Sequence, residues 1–212
     1  FRVIMLWEFT SAITPSSIGG TGVATLYVHK EGLSVGKSAA VVMATSFLDE
    51  LYFIVMFPFL LLLVTPDDLF EAGGGVTFNN IFFVAAVVGY GIKLLYNIIL
   101  SYGLFINPRG LKWVILKVFK IKFLRKWRHG ANNAGTEIIQ SSRELVKKPP
   151  AFWIKTFLAT MLSWTSRYWV ANVLLIALFV QKFNLYEHFI IFARQLVLWI
   201  MMLISPTPGA SG

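Results

Sequence analysis

The run from Val35 to Val64 is almost wholly apolar, interrupted by charge only at Lys37 near its start and at Asp49-Glu50 part of the way along. A helix needs about 20 apolar residues to cross a hydrocarbon layer about 30 Å thick, so this run can span a membrane. Further apolar stretches lie at about Asn79–Phe105, Ala151–Val180 and Phe189–Ile204. The chain is 57% hydrophobic and only 14% charged, which leaves too little polar surface to solvate a water-soluble domain of 212 residues. The fold class that follows is all-α: a polytopic transmembrane helical bundle, read as a single transmembrane domain over residues 1–212. The start at Phe1 and the stop at Gly212, just after a Pro/Gly cluster, read as the ends of a piece of a longer chain.

Charge gives the orientation. Residues 107–150 hold eleven of the nineteen Lys and Arg, among them Arg109, Lys112, Lys120, Arg143 and Lys147. Loops rich in Lys and Arg stay on the cytoplasmic side, so 107–150 is predicted to be a cytoplasmic loop. Residues 65–78 and 181–187 then face outward. Within the loop, Lys and Arg alternate with Trp113, Phe119, Phe123 and Trp127, a pattern suited to a segment lying at the interface. Thr136–Val146 reads as a short amphipathic helix, with Ile138, Ile139, Ser142, Leu145 and Val146 at helical spacing. Topology accounts for the basic balance more simply than a specific anionic-lipid site, and much more simply than nucleic acid.

With no cysteine and with His29, His129 and His188 far apart in sequence, metal and thiol chemistry have no local motif, and no cofactor is predicted. No nucleophile-and-base pair or phosphate-cradling glycine loop is visible either, so the chain reads as a non-enzyme.

Two similar interruptions carry the functional reading. One apolar segment runs into Ile13-Thr14-Pro15-Ser16-Ser17-Ile18-Gly19-Gly20, and the last runs into Ser205-Pro206-Thr207-Pro208-Gly209-Ala210-Ser211-Gly212. Irregular backbone cannot face lipid, because each unpaired N–H or C=O would cost several kcal/mol, so such breaks line a cavity or pack inside protein. A matched pair of breaks suggests re-entrant helices in an inverted-repeat arrangement, with the substrate near the midplane. Taken singly, each break is as readily an ordinary kink or a surface loop. Ionisable residues at membrane depth add to the pattern: Asp49 in the first long span, Arg167 in the third and Arg194 in the last. An arginine facing the interior can hold a lipid phosphate through its fork of donors, and Asp49 can balance it. The alternative is a permanent Asp49–Arg167 pair, or snorkelling to water. Lys93 and Asn97 read as weaker candidates, suited to snorkelling or helix-to-helix bonding. The candidate lipid site is therefore Thr14, Pro15, Ser16, Ser17, Gly19, Gly20, Asp49, Arg167, Arg194, Pro206, Thr207, Pro208, Gly209 and Ser211.

The first break, followed by Leu26-Tyr27, Lys30-Glu31-Gly32-Leu33-Ser34, Ala39-Ala40 and Asp49, resembles the lysylphosphatidylglycerol synthase/flippase transmembrane family, the membrane half of multiple peptide resistance factors and their stand-alone relatives. Pro206–Gly212 is similar to that family's C-terminal signature. The resemblance implies a multi-pass protein of a bacterial or archaeal inner membrane. Such a protein would move an anionic, aminoacylated or isoprenoid-linked lipid between leaflets, with membrane phospholipid as its partner and a homo-oligomer left open. In larger members an aminoacyl-transferase domain follows, and this chain holds none. The competing function is a non-transporting membrane subunit, or a partner of a lipid-synthesising enzyme.

Overall fold

The computed structural model describes residues 2–13, 19–70, 80–179 and 184–202, and all the regular structure among them is helical. In chain order the helices are α1 (Arg2–Ile13), α2 (Gly19–Lys30), α3 (Val35–Leu63), α4 (Pro66–Phe70), α5 (Ile81–Ser101), α6 (Pro108–Val118), α7 (Arg128–Val146), α8 (Pro150–Phe179) and α9 (Leu185–Met202). The described residues fall into two compact units, one drawn from Phe1–Phe47 and Tyr96–Trp153 and the other from Leu48–Leu95 and Ile154–Pro206.

Among the described residues three helices are long and apolar enough to cross a membrane: α3, α5 with its extension to Ile106, and α9. Their outward faces carry large apolar side chains in the open, such as Leu62 at 84% and Ile81 at 75% exposure. That surface is stable only against lipid. The third of the four predicted spans, α8, is 30 residues long, yet it does not reach the apolarity of the other three. Thr156, Thr160, Ser163, Thr165, Ser166, Arg167 and Asn172 interrupt it, and several of these face protein. The short α4 and the start of α9 at Leu185 trim the two connections predicted as loops.

In the first unit, α1 and α2 are each 12 residues, roughly 18 Å, and pack against one another. A Cβ on Gly20 would run into the Ser11 side chain, so the absence of a side chain there sets the approach. Two residues past the end of α2, Gly32 has a φ of +100°, a left-handed conformation that favours glycine. At the start of α3, Gly36 is pressed against α7, and a Cβ there would sit 2.3 Å from the Ala134 carbonyl oxygen. The Glu137 carboxylate of α7 accepts the Gly36 N–H at 2.8 Å, satisfying a first-turn donor of α3 with a charge that suits its dipole. The amphipathic segment predicted at Thr136–Val146 is the second half of α7, which begins eight residues earlier than expected.

The second unit packs around Tyr52, Phe53, Met56, Phe57, Leu60 and Val64 of α3, which repeat at helical spacing and meet Phe192, Leu196 and Ile200 of α9. Pro58 lies inside α3 and lacks the N–H that would bond the Ile54 carbonyl four residues back. The Tyr90 hydroxyl of α5 donates to that carbonyl at 3.3 Å, and its ring stacks on Phe57 with centroids 4.9 Å apart. At Gly89 a Cβ would come within 2.5 Å of the Ile200 carbonyl oxygen, so glycine lets α5 and α9 approach closely. The buried Asn80 caps α5, its side-chain oxygen accepting the Phe82 N–H at 2.9 Å.

Candidate functional site

The apolar face of α3 does not stop at Tyr52 and Phe53. One turn earlier the same face carries Asp49 and Glu50, so two carboxylates continue a buried stripe. Asp49 lies 14 residues into a helix roughly 43 Å long, near its middle. Helix α5 presents Ala86, Tyr90 and Lys93 at helical spacing toward the same core, with Lys93 about 18 Å into its span.

Lys93 Nζ lies 2.8 Å from Glu50 Oε2, with the side chains 3% and 20% exposed, and the ammonium also sits 4.6 Å from the centre of the Phe53 ring. Two charges at this depth are stable only as a pair, because either one alone would be buried without a counter-charge.

Helix α8 contributes the other wall. Trp164 and Tyr168 lie one turn apart on it and pack onto Tyr52 and Phe53. The Trp164 indole N–H donates to Asp49 Oδ1 at 2.8 Å, and Arg167 lies over the same ring at 4.5 Å from its centre. Asp49 and Arg167 are thus both anchored on one tryptophan. Arg167 itself is exposed, with its guanidinium at the edge of the stripe. Beside it, Tyr52 and Thr165 share a hydroxyl bond at 3.2 Å. The Tyr168 hydroxyl is buried without a hydrogen-bond partner among the described residues, an unsatisfied group close to the aromatic wall.

Of the residues named from sequence, this arrangement brings together Asp49 and Arg167. Arg194 belongs to a different cluster: it is exposed on α9 and donates from Nε to the Asp68 carbonyl at 3.0 Å and from Nη2 to the same oxygen. The Tyr186 hydroxyl reaches the Asp68 carboxylate at 2.8 Å, so α9 holds α4 by both ends of one residue. The hydrogen bonds from Thr65 and Tyr186 keep the Asp68 carboxyl below the usual carboxylate range. Gly19 and Gly20 open α2 in the other unit. Thr14, Pro15, Ser16, Ser17, Pro206, Thr207, Pro208, Gly209 and Ser211, which carry both Pro/Gly breaks, lie outside the described residues. Sequence reasoning undervalued Lys93, Glu50, Trp164 and Tyr168. The available signal was a lone cation in one apolar helix, a pair of adjacent acids near the middle of another, and a tryptophan three residues from Arg167. Among the described residues no group of His, Asp and Glu is placed to hold a metal.

Long lipid-facing helices enclosing charged groups at half-depth define a multi-pass helical membrane protein. The whole chain, residues 1–212, matches the family described as Lysylphosphatidylglycerol synthase TM region, and the protein belongs to that family. The family gives it a membrane lipid-related role. The chain is also 27% identical over 211 residues to a protein of Archaeoglobus fulgidus called UPF0104 membrane protein, an alignment covering 100% of this chain and 61% of that relative. The chain therefore spans about three fifths of the relative's length. No solved structure matches it.

Proposed function

We propose that the protein translocates an anionic, aminoacylated or isoprenoid-linked lipid between leaflets of a cytoplasmic membrane, with residues 107–150 on the cytoplasmic side. The observation that carries this reading is the polar stripe at the middle of α3. There Asp49 and Arg167 are held on Trp164 within the same unit as the Glu50–Lys93 pair. In this account the headgroup phosphate meets the Arg167 guanidinium, and Asp49, held on the same tryptophan, balances the charge when no lipid is bound. The buried Tyr168 hydroxyl is a further donor. The acyl chains stay in lipid against the exposed apolar faces of α8 and α5. On the sequence argument alone, Thr14, Pro15, Ser16, Ser17, Gly19, Gly20, Arg194, Pro206, Thr207, Pro208, Gly209 and Ser211 are further candidates for contact with the lipid.

The test is the full-length protein in liposomes carrying a fluorescent anionic lipid and a membrane-impermeant quencher. Quenching beyond the outer-leaflet half of the probe supports translocation, and traces matching empty liposomes reject it.

A second reading, a non-transporting partner that presents lipid to an enzyme, is favoured by one feature of the basic segment. Lys117 lies over Trp113 at 4.9 Å and Lys126 over Trp127 at 4.3 Å, with Phe123 exposed between them. These cation–aromatic pairs form a surface able to sit at lipid headgroups. Under that reading the same liposomes show no excess quenching, and neutralising these lysines weakens lipid capture instead.

A further inference from the structure

A polar cavity lies where the α5 span ends, lined by residues other than Asp49 and Arg167. The last turn of that span, Tyr102–Ile106, is wide: the Asn107 N–H reaches back five residues to the Tyr102 carbonyl at 2.8 Å. Asn107 then caps α6, its side chain accepting the Gly110 N–H at 2.9 Å, and Pro108 occupies the first helical position. The chain thus turns sharply from the span into α6 and leaves a cavity of about 510 Å³ against the C-terminal half of α7.

Three cations line it: Arg109 from the first turn of α6, and Arg143 with Lys147 one turn apart on α7. None of their side chains has a hydrogen-bond or ion-pair partner among the described residues. Ser142, only 1% exposed, also lines the cavity, and its hydroxyl is buried without a partner. The nearby acids do not neutralise this group. Glu137 is bound to the Gly36 N–H, and Glu144 is not part of the lining. The first turn of α6 adds the positive end of a helix dipole.

We infer that this cavity binds the phosphate of an anionic phospholipid at the membrane surface, with Arg109, Arg143 and Lys147 as its counter-charges and Ser142 Oγ–H as a donor. Arginine and a helix N-terminus suit phosphate oxygens, and a buried hydroxyl without a partner gains a hydrogen bond when one arrives. A lipid fits better than a soluble phosphate ester because Ile106 and Val146 line the same cavity and stay 70% and 54% exposed, at the level where the apolar span gives way to polar chain. This site is independent of translocation: it requires only that α5 spans the membrane.

The test is calorimetric titration of the full-length protein in detergent with dioctanoyl phosphatidylglycerol, dioctanoyl phosphatidylcholine and glycerol 3-phosphate. The protein is expected to bind the anionic lipid at least about tenfold more tightly than either other ligand. Arg143→Gln with Lys147→Gln should weaken binding by about tenfold or more, and Ser142→Ala by a smaller factor. The double variant Lys120→Gln with Lys122→Gln removes the same charge from exposed positions outside the cavity and should leave binding within about twofold, since diffuse charge is screened. Equal binding of the zwitterionic lipid, or an equal loss in the Lys120/Lys122 variant, would overturn the site. Glycerol 3-phosphate binding as tightly as the lipid would assign the cavity to a soluble phosphate ester and overturn the lipid assignment.

Discussion

Trp164 donates its indole N–H to Asp49 Oδ1 at 2.8 Å, and this bond joins the middle of α8 to the middle of α3. Because Arg167 lies over the same ring, one side chain contacts both an acid and a cation. Trp164→Phe keeps a ring for packing but loses the donor. It is expected to cost about 1–3 kcal/mol through the bond left unmade. Trp164→Leu additionally removes the platform for Arg167 and should cost more. Unfolding of the two variants in detergent, compared with wild type, gives the ranking directly, and equal stabilities would contradict it.

The Glu50–Lys93 pair makes a prediction that separates pairing from simple polarity. Lys93→Met leaves Glu50 buried without its counter-charge and should destabilise by about 3–5 kcal/mol. Combining it with Glu50→Gln removes the stranded charge and should recover much of that loss. A double-mutant cycle by thermal unfolding checks this, and strictly additive effects would mean that the two groups do not interact.

Tyr90 answers the gap made by Pro58. Tyr90→Phe leaves the Ile54 carbonyl without the donor that replaces its helical partner, for an expected loss of about 1–3 kcal/mol. In a Pro58→Ala background, α3 supplies its own N–H to that carbonyl, so the same Tyr90 substitution should cost less. Stability of the four combinations decides it.

The α4–α9 contact is expected to weaken in acid. The Asp68 carboxyl is held below its ordinary value, first by the Thr65 hydroxyl and then by that of Tyr186. A depressed value in the fold means the stabilisation is present above the ordinary carboxylate pKa of about 3.9 and is lost as pH falls through the depressed one. Thermal midpoints measured from neutral pH down to about pH 3 should fall more steeply for the wild type than for Asp68→Asn. Parallel curves would remove Asp68 from the account.

The α-helical class and three long spans were legible because apolar length is a direct physical requirement of the bilayer, and the bounds of α3 agree with the sequence reading to within a residue. Helix α8 was harder, since the polar residues that lower its apolarity, Thr165 and Asn172 among them, find partners on α3 and α9 that sequence does not display. Asp49 and Arg167 stood out as charges in apolar helices. Lys93 looked like a snorkelling lysine because its burial depends on the rotation of α5 against α3, which places it on Glu50 instead of at the surface. The cavity below α5 was invisible for a similar reason: Arg109 and Arg143 are 34 residues apart in sequence and meet only because Asn107-Pro108 turns the chain.

The most direct test of the account is the rate of anionic-lipid translocation by the full-length protein in liposomes, with Arg167 intact, as Arg167→Lys and as Arg167→Ala. The account predicts wild-type quenching beyond the outer-leaflet half and a slowing of about tenfold or more for Arg167→Ala. Arg167→Lys should lie between them, since lysine keeps the charge but not the planar fork. Wild type indistinguishable from empty liposomes, or Arg167→Ala as fast as wild type, would contradict it.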